Sequence, residues 1–173
     1  MITKVLVADE IQYAPQIREL FWEYLQWANT NVNKEFQVSF DIVTMLEGDM
    51  KDLEKFMPPP GRLLLGYSGT NLAGVACLKK LTSSVGEIKR MYVRPENRQQ
   101  GVGRALIQGI LQEARQVGYQ FIRLDSARFM AEAHQLYRSI GFKEIEAYEG
   151  SEIPPGFQDH WIFMELPLTP LES

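Results

Sequence analysis

The chain reads EIKRMYVRPENRQQGVGRAL over residues 87–106, and this stretch decides the fold. Its first seven residues predict a strand, and the apolar spacing of residues 104–118 predicts a helix. Between them, residues 98–103 contain two glycines two positions apart, which permit a tight turn with successive N–H groups on one side. Because the following helix adds its positive dipole end, the turn is suited to a diphosphate.

Two other phosphate-binding loops compete for this turn. A dinucleotide fingerprint needs a third glycine where this chain has Leu106, and its loop follows the strand without the intervening residues 94–100. Asp125, at the end of the next predicted strand, stands where a ribose-binding acid is expected, so a nucleotide-binding α/β domain remains an alternative. A nucleoside-triphosphate loop fits worse, because no Gly-Lys-Ser or Gly-Lys-Thr follows.

Composition limits the class of protein. At 173 residues and 45% hydrophobic content, the chain suits one domain with a substantial core. A net charge of -4 and a pI near 5.3 argue against nucleic acid or a membrane surface as the partner. Cys77 is the only cysteine, so no internal disulfide forms, and neither a leader nor a membrane span is expected. We therefore expect a soluble cytoplasmic protein.

The segments before the turn predict two helices and an antiparallel meander. A strand at residues 2–7 precedes a helix that starts at Asp9 and ends near residues 29–33. A second helix is expected at residues 41–56, before a proline-rich stop. Three strands joined by hairpin connections follow at residues 62–67, 72–80 and 85–93.

The segments after the turn add a parallel pair of strands. Residues 121–125 predict a strand, and a short helix carrying Met130 and Tyr137 stops at Gly141 in a Schellman ending. The order strand, helix, strand implies a crossover and a locally parallel pair. Residues 142–145 and 160–166 predict a closing strand pair. The expected fold class is therefore α/β with a mixed sheet.

A second motif follows the turn, and it reads Ala133-His134-Gln135-Leu136-Tyr137 with Gly141-Phe142 after it. Together with Arg-x-x-Gly-x-Gly at residues 98–103, it resembles the GNAT superfamily of acetyl-coenzyme A dependent N-acetyltransferases. The resemblance covers residues 2–166 and is closest to a bacterial subgroup that points to no substrate. It implies one N-acetyltransferase domain over residues 1–173, a mainly antiparallel sheet with a splayed parallel strand pair, and acetyl-CoA as co-substrate.

The resemblance also implies where acetyl-CoA binds. The pantetheine arm is expected beside the splayed strand edge, on the main chain of Met91, Tyr92 and Val93. The diphosphate is expected on the turn, whose residues are Arg98, Gln99, Gln100, Gly101, Val102, Gly103 and Arg104. Met130 and Ala133 are expected beside the arm. Met130 stands where the family often has Asn, a departure that puts a polar contact to the coenzyme in question.

Acetyl transfer to an amine needs a base, an oxyanion contact and a proton for the departing sulfur. On the resemblance, Glu87 is the candidate base, with a backbone N–H near Met91 as the oxyanion donor. Tyr137 is the candidate acid, because a phenol with a pKa near 10 stays protonated at neutral pH. The alternatives are structural. Glu87 would be an exposed strand residue paired across the sheet, or a partner of Lys89 two residues on and on the same face, and Tyr137 would belong to a core stripe.

Other reactive side chains are expected to be inert. Cys77 lies mid-strand without a nearby histidine, so direct transfer is preferred to a route through the thiol. His134 and His160 lack the spacing of metal ligands, and no metal is expected.

The amine acceptor is expected to be a small molecule or a peptide. By family geometry its pocket lies opposite the coenzyme, between the first two helices and the late loop, where an aromatic and acidic wall suits a cation. The candidate wall residues are Trp22, Glu23, Tyr24, Trp27, Phe40 and Tyr148. Trp22 and Trp27 equally suit packing or an oligomer face, which leaves a homodimer open. A non-catalytic acyl-CoA sensor of the same fold is the remaining alternative.

Overall fold

Residues 3–172, which the computed structural model describes, form seven strands and four α-helices. The strands are β1 (Thr3–Val7), β2 (Arg62–Ser68), β3 (Asn71–Lys80), β4 (Val85–Val93), β5 (Phe121–Ala127), β6 (Lys143–Ile145) and β7 (Trp161–Pro167). The helices are α1 (Glu10–Phe36), α2 (Ile42–Lys51), α3 (Val102–Val117) and α4 (Ala131–Ile140). Short 3-10 turns occur at Leu53–Phe56, Pro95–Asn97 and Pro155–His160.

The strands form one sheet in the order β1-β2-β3-β4-β5-β7-β6. Neighbouring strands are antiparallel except β4 and β5, which run parallel because α3 carries the chain across the sheet between them. The predicted meander corresponds to β2-β3-β4, and the predicted closing pair corresponds to β6 and β7. The sequence-based fold class is thus confirmed.

Helices cover both faces of the sheet, and each face has its own apolar core. α1 and α2 pack on one face, where Phe21 is fully buried. α3 and α4 pack on the other face, where Ile110 is fully buried. Leu63 and Leu65 of β2 point into the first core, whereas Leu64 points into the second. Since successive strand side chains alternate, a strand covered on both faces is apolar along its whole length.

Local signals begin α1 and end α4 where the sequence predicts them. The Asp9 carboxylate accepts a hydrogen bond from the main-chain N–H of Gln12 at 2.8 Å and so caps α1. Gly141 follows α4 with φ of 118°, in the left-handed region that favours glycine. The N–H of Phe142 then bonds to the carbonyl of Tyr137 at 3.1 Å, as expected for a Schellman ending.

Three predicted boundaries are wrong. α1 continues to Phe36, beyond residues 29–33, and the Phe36 ring stacks on His160 at 4.2 Å. The second helix is not continuous over residues 41–56, because α2 ends at Lys51 and a 3-10 turn then buries Leu53 and Phe56 in the first core.

The third correction concerns β5, which runs to Ala127 rather than stopping at Asp125. It extends because β7 pairs with it along its whole length. Asp125 is therefore an interior strand residue. Ile2, which was predicted in the first strand, lies outside the described residues.

Candidate active site

The strands β4 and β5 separate after three paired positions. The pairs are Val85 with Phe121, Gly86 with Ile122, and Glu87 with Arg123. Beyond them β4 stays on β3 while β5 stays on β7, so the two strands diverge. This splayed parallel pair was predicted from the sequence, and its gap joins the two faces of the sheet.

A β-bulge in β4 lies beside this gap. Arg90 and Met91 together oppose the single residue Ala76 of β3. Arg90 has φ of 52°, in the left-handed region that residues other than glycine seldom adopt. A bulge changes the direction of the main-chain N–H and C=O groups. This bulge includes Met91, near which the sequence predicts an oxyanion donor.

The turn before α3 gathers main-chain N–H groups. Gly101 has φ of 84° and Gln99 has φ of 59°, so the chain turns sharply through the left-handed region. Within the part of the chain that the structure describes, the N–H groups of residues 99–104 have no hydrogen-bond acceptor. Six unpaired donors at the positive end of a helix fit a diphosphate.

A cavity of about 320 Å³ lies beside the gap, between α1, α2 and the segment that precedes β7. Its apolar wall includes Leu25, Val32, Phe40, Ile42, Phe157 and Trp161. Its ionisable side chains are Tyr24, Lys89, Arg90, Asp125, Tyr137 and Glu152. Met91 of the bulge also lines it, so the cavity meets the main chain of β4.

Tyr137 reaches this cavity from the opposite layer of the molecule. It is 5% exposed and packs in the core under α3 and α4, with its ring 5.8 Å from that of Phe142. The gap brings it near Tyr24 and Asp125, which lie on the other face of the sheet. Its hydroxyl makes no hydrogen bond to the described residues. Burial raises the pKa of Tyr137 above its usual value of 10, so the phenol is protonated at neutral pH.

Glu87 is completely buried, two residues before Lys89 on the same face of the sheet. The Tyr148 hydroxyl donates a hydrogen bond to Glu87 Oε2 at 2.6 Å, and Lys79 Nζ lies 3.6 Å from Oε1. Burial raises the pKa of Glu87, although Lys89 and the Tyr148 hydrogen bond oppose the shift. Glu87 itself does not line the cavity, so a group bound in the cavity would not contact it directly.

A buried ion-pair network forms the charged part of the cavity wall. Lys89 Nζ lies 2.9 Å from Glu152 Oε1 and 3.2 Å from Asp125 Oδ2. Arg90 bonds to both oxygens of Asp49 on α2, at 2.6 and 3.1 Å, and its Nη1 bonds to Glu152 at 2.8 Å. Burial opposes these charges, but the carboxylates raise the pKa of Lys89 and the cations lower that of Glu152. Lys89 and Glu152 are therefore ionised at neutral pH.

The family model of the acetyltransferase (GNAT) family matches residues 14–142, which is more than half of the chain. The chain belongs to the GNAT family. It is therefore an acetyl-CoA-dependent N-acetyltransferase, as the resemblance of its sequence predicts.

Related sequences agree with this assignment. An uncharacterised N-acetyltransferase of Schizosaccharomyces pombe is 33% identical over 137 residues, which cover 78% of the enzyme and 79% of the relative. The IAA acetyltransferase of Azospirillum brasilense is 32% identical over 129 residues, with coverage of 74% and 82%.

Solved structures share the fold. The PaiA N-acetyltransferase of Thermoplasma acidophilum, in complex with coenzyme A, has a TM-score of 0.72 at 17% identity and covers 96% of the enzyme and 99% of its own chain. YncA of Salmonella typhimurium, solved with acetyl-CoA, has a TM-score of 0.66 at 17% identity, with coverage of 100% and 98%. Within residues 3–172 the enzyme has no helix that is both long and apolar enough to cross a membrane.

The structure separates the predicted acceptor-wall residues. Tyr24 and Phe40 line the cavity. Glu23 instead forms an ion pair with Arg94 at 2.8 Å, and Trp22 faces a surface groove between α1 and α2. Tyr24 and Phe40 are thus the predicted wall residues that an acceptor in this cavity would contact.

The arginines of the turn lie in different surroundings. The Arg98 guanidinium is 4.9 Å from the Trp27 ring, and its Nε donates to the carbonyl of Val93 at 3.0 Å. Arg104 donates to Ser139 Oγ at 2.8 Å and so ties α3 to α4. Trp27 is thereby placed beside the turn, outside the lining of the cavity.

Met130 and Ala133 lie at the start of α4. Met130 lines the cavity, and its sulfur accepts a hydrogen bond from Ser126 Oγ at 3.5 Å. Ala133 packs against the core beneath α3. His134 Nε2 lies 2.9 Å from the same serine oxygen, so this histidine is buried in a local contact.

Cys77 lies in β3, fully buried and away from the cavity lining. Burial raises the pKa of its thiol well above the usual value, which keeps it protonated. Among the described residues, no group of three or more His, Cys, Asp or Glu side chains could hold a metal ion.

Sequence reasoning missed the network around Lys89 and Arg90. Two consecutive cations inside a strand covered on both faces were the available signal, since buried charges require partners. Their partners Asp49 and Glu152 could not be named, because they lie 41 and 62 residues from Arg90 in sequence.

Proposed function

We propose that the enzyme transfers the acetyl group of acetyl-CoA directly to a primary amine in a ternary complex, with Glu87 as general base and Tyr137 as general acid. One observation carries this proposal. The gap between β4 and β5 places the unpaired Tyr137 hydroxyl and the bulge at Met91 on one cavity.

The chain offers acetyl-CoA two kinds of donor. The free N–H groups of residues 99–104 suit its diphosphate, and Arg98 and Arg104 stand on the same turn. Beyond Glu87, β4 has no partner strand on the side of β5, which leaves an edge for the amides of pantetheine. A main-chain N–H near Met91 would then stabilise the oxyanion.

Glu87 is suited to accept the proton of the amine through a water molecule. An alkylammonium has a pKa of roughly 10, so it must lose a proton before attack. A general base works through one water when it lies behind the first layer of side chains. The raised pKa of Glu87 brings its basicity closer to neutral pH, which favours this role.

Tyr137 supplies the proton for the departing sulfur. Transfer from a phenol to a thiolate is uphill by about 1.5 pKa units in water, and burial raises the pKa of Tyr137 further. The proton therefore moves as the carbon–sulfur bond breaks, and collapse to the stable amide drives the step. Coenzyme A leaves as the thiol. The nitrogen loses two protons in all: the one held by Glu87 restores the phenol through solvent, and the one lost from the tetrahedral intermediate is released to bulk water.

Thiol release from acetyl-CoA across a panel of amines tests this proposal, with calorimetry to measure coenzyme binding. We expect acetyl-CoA to bind and at least one amine to accelerate thiol release. Glu87→Gln should lower kcat, whereas Cys77→Ala should keep it if transfer is direct. Coenzyme binding without thiol release for any amine would instead identify a non-catalytic acyl-CoA-binding module.

A further inference from the structure

Hydrogen-bond partners decide what the cavity can recognise. Every side-chain nitrogen of Lys89 and Arg90 already has a carboxylate oxygen within 3.2 Å, supplied by Asp49, Asp125 and Glu152. A ligand carboxylate at these cations would have to share them with the carboxylates of the protein.

The cavity groups that lack a hydrogen-bond partner include carboxylate oxygens, which accept hydrogen bonds from cations. Asp125 bonds through Oδ2 and Glu152 through Oε1, so Asp125 Oδ1 and Glu152 Oε2 have no partner among residues 3–172. The hydroxyl of Tyr137, a residue that is 5% exposed and lines the same cavity, also has no partner among these residues. Lys89 cannot become an acceptor, because Asp125 and Glu152 raise its pKa against the effect of burial. Three carboxylates (Asp49, Asp125 and Glu152) thus face two cations (Lys89 and Arg90), so the network has a formal net charge of -1 that a ligand ammonium would neutralise.

Most of the remaining lining is apolar, apart from Asn29 and Ser126, and the space is limited. Leu25, Val32, Ile42 and Phe157 offer no group that could pair with a charge. A volume of about 320 Å³ lies near the lower end of the range for small-molecule sites, roughly 300 to 1,000 Å³. Burying a second, unpaired charge against this wall would be strongly unfavourable.

We propose that the acceptor is a small primary amine with an aryl or alkyl body, without a carboxylate and without a second cation, whose ammonium docks on Asp125 and Glu152. This assignment rests on the proposed acetyl transfer. The carboxylates hold the ammonium while the aromatic and aliphatic wall holds its body. A carboxylate on the ligand would meet Asp125 and Glu152 as a like charge.

Three probes test the proposal on the intact enzyme saturated with coenzyme A. They are 2-phenylethylamine, L-phenylalanine, which adds only a carboxylate, and spermidine, which adds further cations. Calorimetry measures their binding, and thiol release from acetyl-CoA measures their turnover. We expect 2-phenylethylamine to exceed both other probes in affinity and in kcat/KM by at least about 100-fold. L-phenylalanine is disfavoured by like-charge repulsion of its carboxylate, and spermidine by burial of an unpaired charge.

Asp125→Asn removes the docking charge and keeps the shape of the side chain. We expect it to weaken binding of 2-phenylethylamine by roughly 10- to 100-fold, as for a charge-assisted hydrogen bond, and to narrow the preference over L-phenylalanine. Glu144→Gln is the matched control, because Glu144 is an exposed carboxylate whose side chain is 52% accessible. Neither change should alter coenzyme A affinity.

The outcomes separate this inference from the proposed function. Equal or better binding of L-phenylalanine or spermidine would overturn the assignment, and so would an unchanged affinity in Asp125→Asn. If none of the probes binds, the cavity is not an acceptor site of this class. If 2-phenylethylamine binds selectively but is not acetylated, the assignment of the pocket stands and the proposed transfer fails.

Discussion

Replacing Tyr137 by Phe should separate activity from stability, because the proposed role of its hydroxyl is in the reaction and the hydroxyl makes no hydrogen bond within the described fold. Phenylalanine keeps the packing of a ring that is 5% exposed and lies 5.8 Å from Phe142. The hydroxyl bonds to nothing in residues 3–172, so its loss breaks no hydrogen bond. Loss of a general acid lowers kcat by roughly 10²- to 10⁴-fold, or about 2.7 to 5.4 kcal/mol of barrier.

The melting temperature should change little. Loss of a hydroxyl that bonds to none of the described residues should change the free energy of unfolding by less than about 1 kcal/mol, which corresponds to roughly 2 to 4 °C for a chain of this size. Thiol release at saturating acetyl-CoA gives kcat, and a thermal melt gives the stability. Tyr67→Phe on β2 is the control, since it removes a hydroxyl far from the cavity. A kcat within twofold of the parent enzyme would refute the acid role, and a larger fall in melting temperature would refute the hydrogen-bond reasoning.

Three further predictions concern the base, the turn and the network. Because burial raises the pKa of Glu87, kcat/KM should fall as the pH decreases, with an apparent pKa above the usual 4.5. Glu87→Gln should abolish this loss of activity at low pH. If the variant retains it, another group is responsible for the pH dependence. Gly101→Ala should raise the KM for acetyl-CoA, because alanine disfavours φ of 84° and shifts the N–H groups. Gly118→Ala, with φ of 97° and equally open space, imposes similar strain without changing KM, and equal KM values in both variants would contradict the diphosphate site. Arg90→Met should destabilise the fold by about 3 to 5 kcal/mol in denaturant titrations, because it leaves Asp49 buried without its main partner. A loss below about 1 kcal/mol, the level of an exposed pair, would show that the network contributes little.

The sequence predicted most of the fold because its signals are local. A cap at Asp9, a glycine at the end of α4 and the apolar run of β2 each act within a few residues. Errors occurred where distant contacts decide a boundary. β5 continues past Asp125 because β7 pairs with it, and a helix predicted as continuous breaks where a 3-10 turn buries Phe56.

The candidate site divides in the same way. The backbone of the turn at residues 98–104 and of the helix that carries Tyr137 was predictable, since these are contiguous runs whose geometry follows from residue type. The acceptor side of the site was only partly predictable. Tyr24 and Phe40 do line the cavity, whereas Trp22 faces a different groove on the outside of α1.

The sequence by itself determined the family, the sheet with its crossover, and the turn whose amides have no acceptor among the described residues, because short-range backbone preferences specify these features. The tertiary structure decided which charges are paired. Arg90 meets Asp49 across 41 residues, and Tyr148 meets Glu87 across 61. A side chain's charge is visible in the sequence, but its partner and its burial arise only when separate elements pack, and these set the polarity of the acceptor cavity.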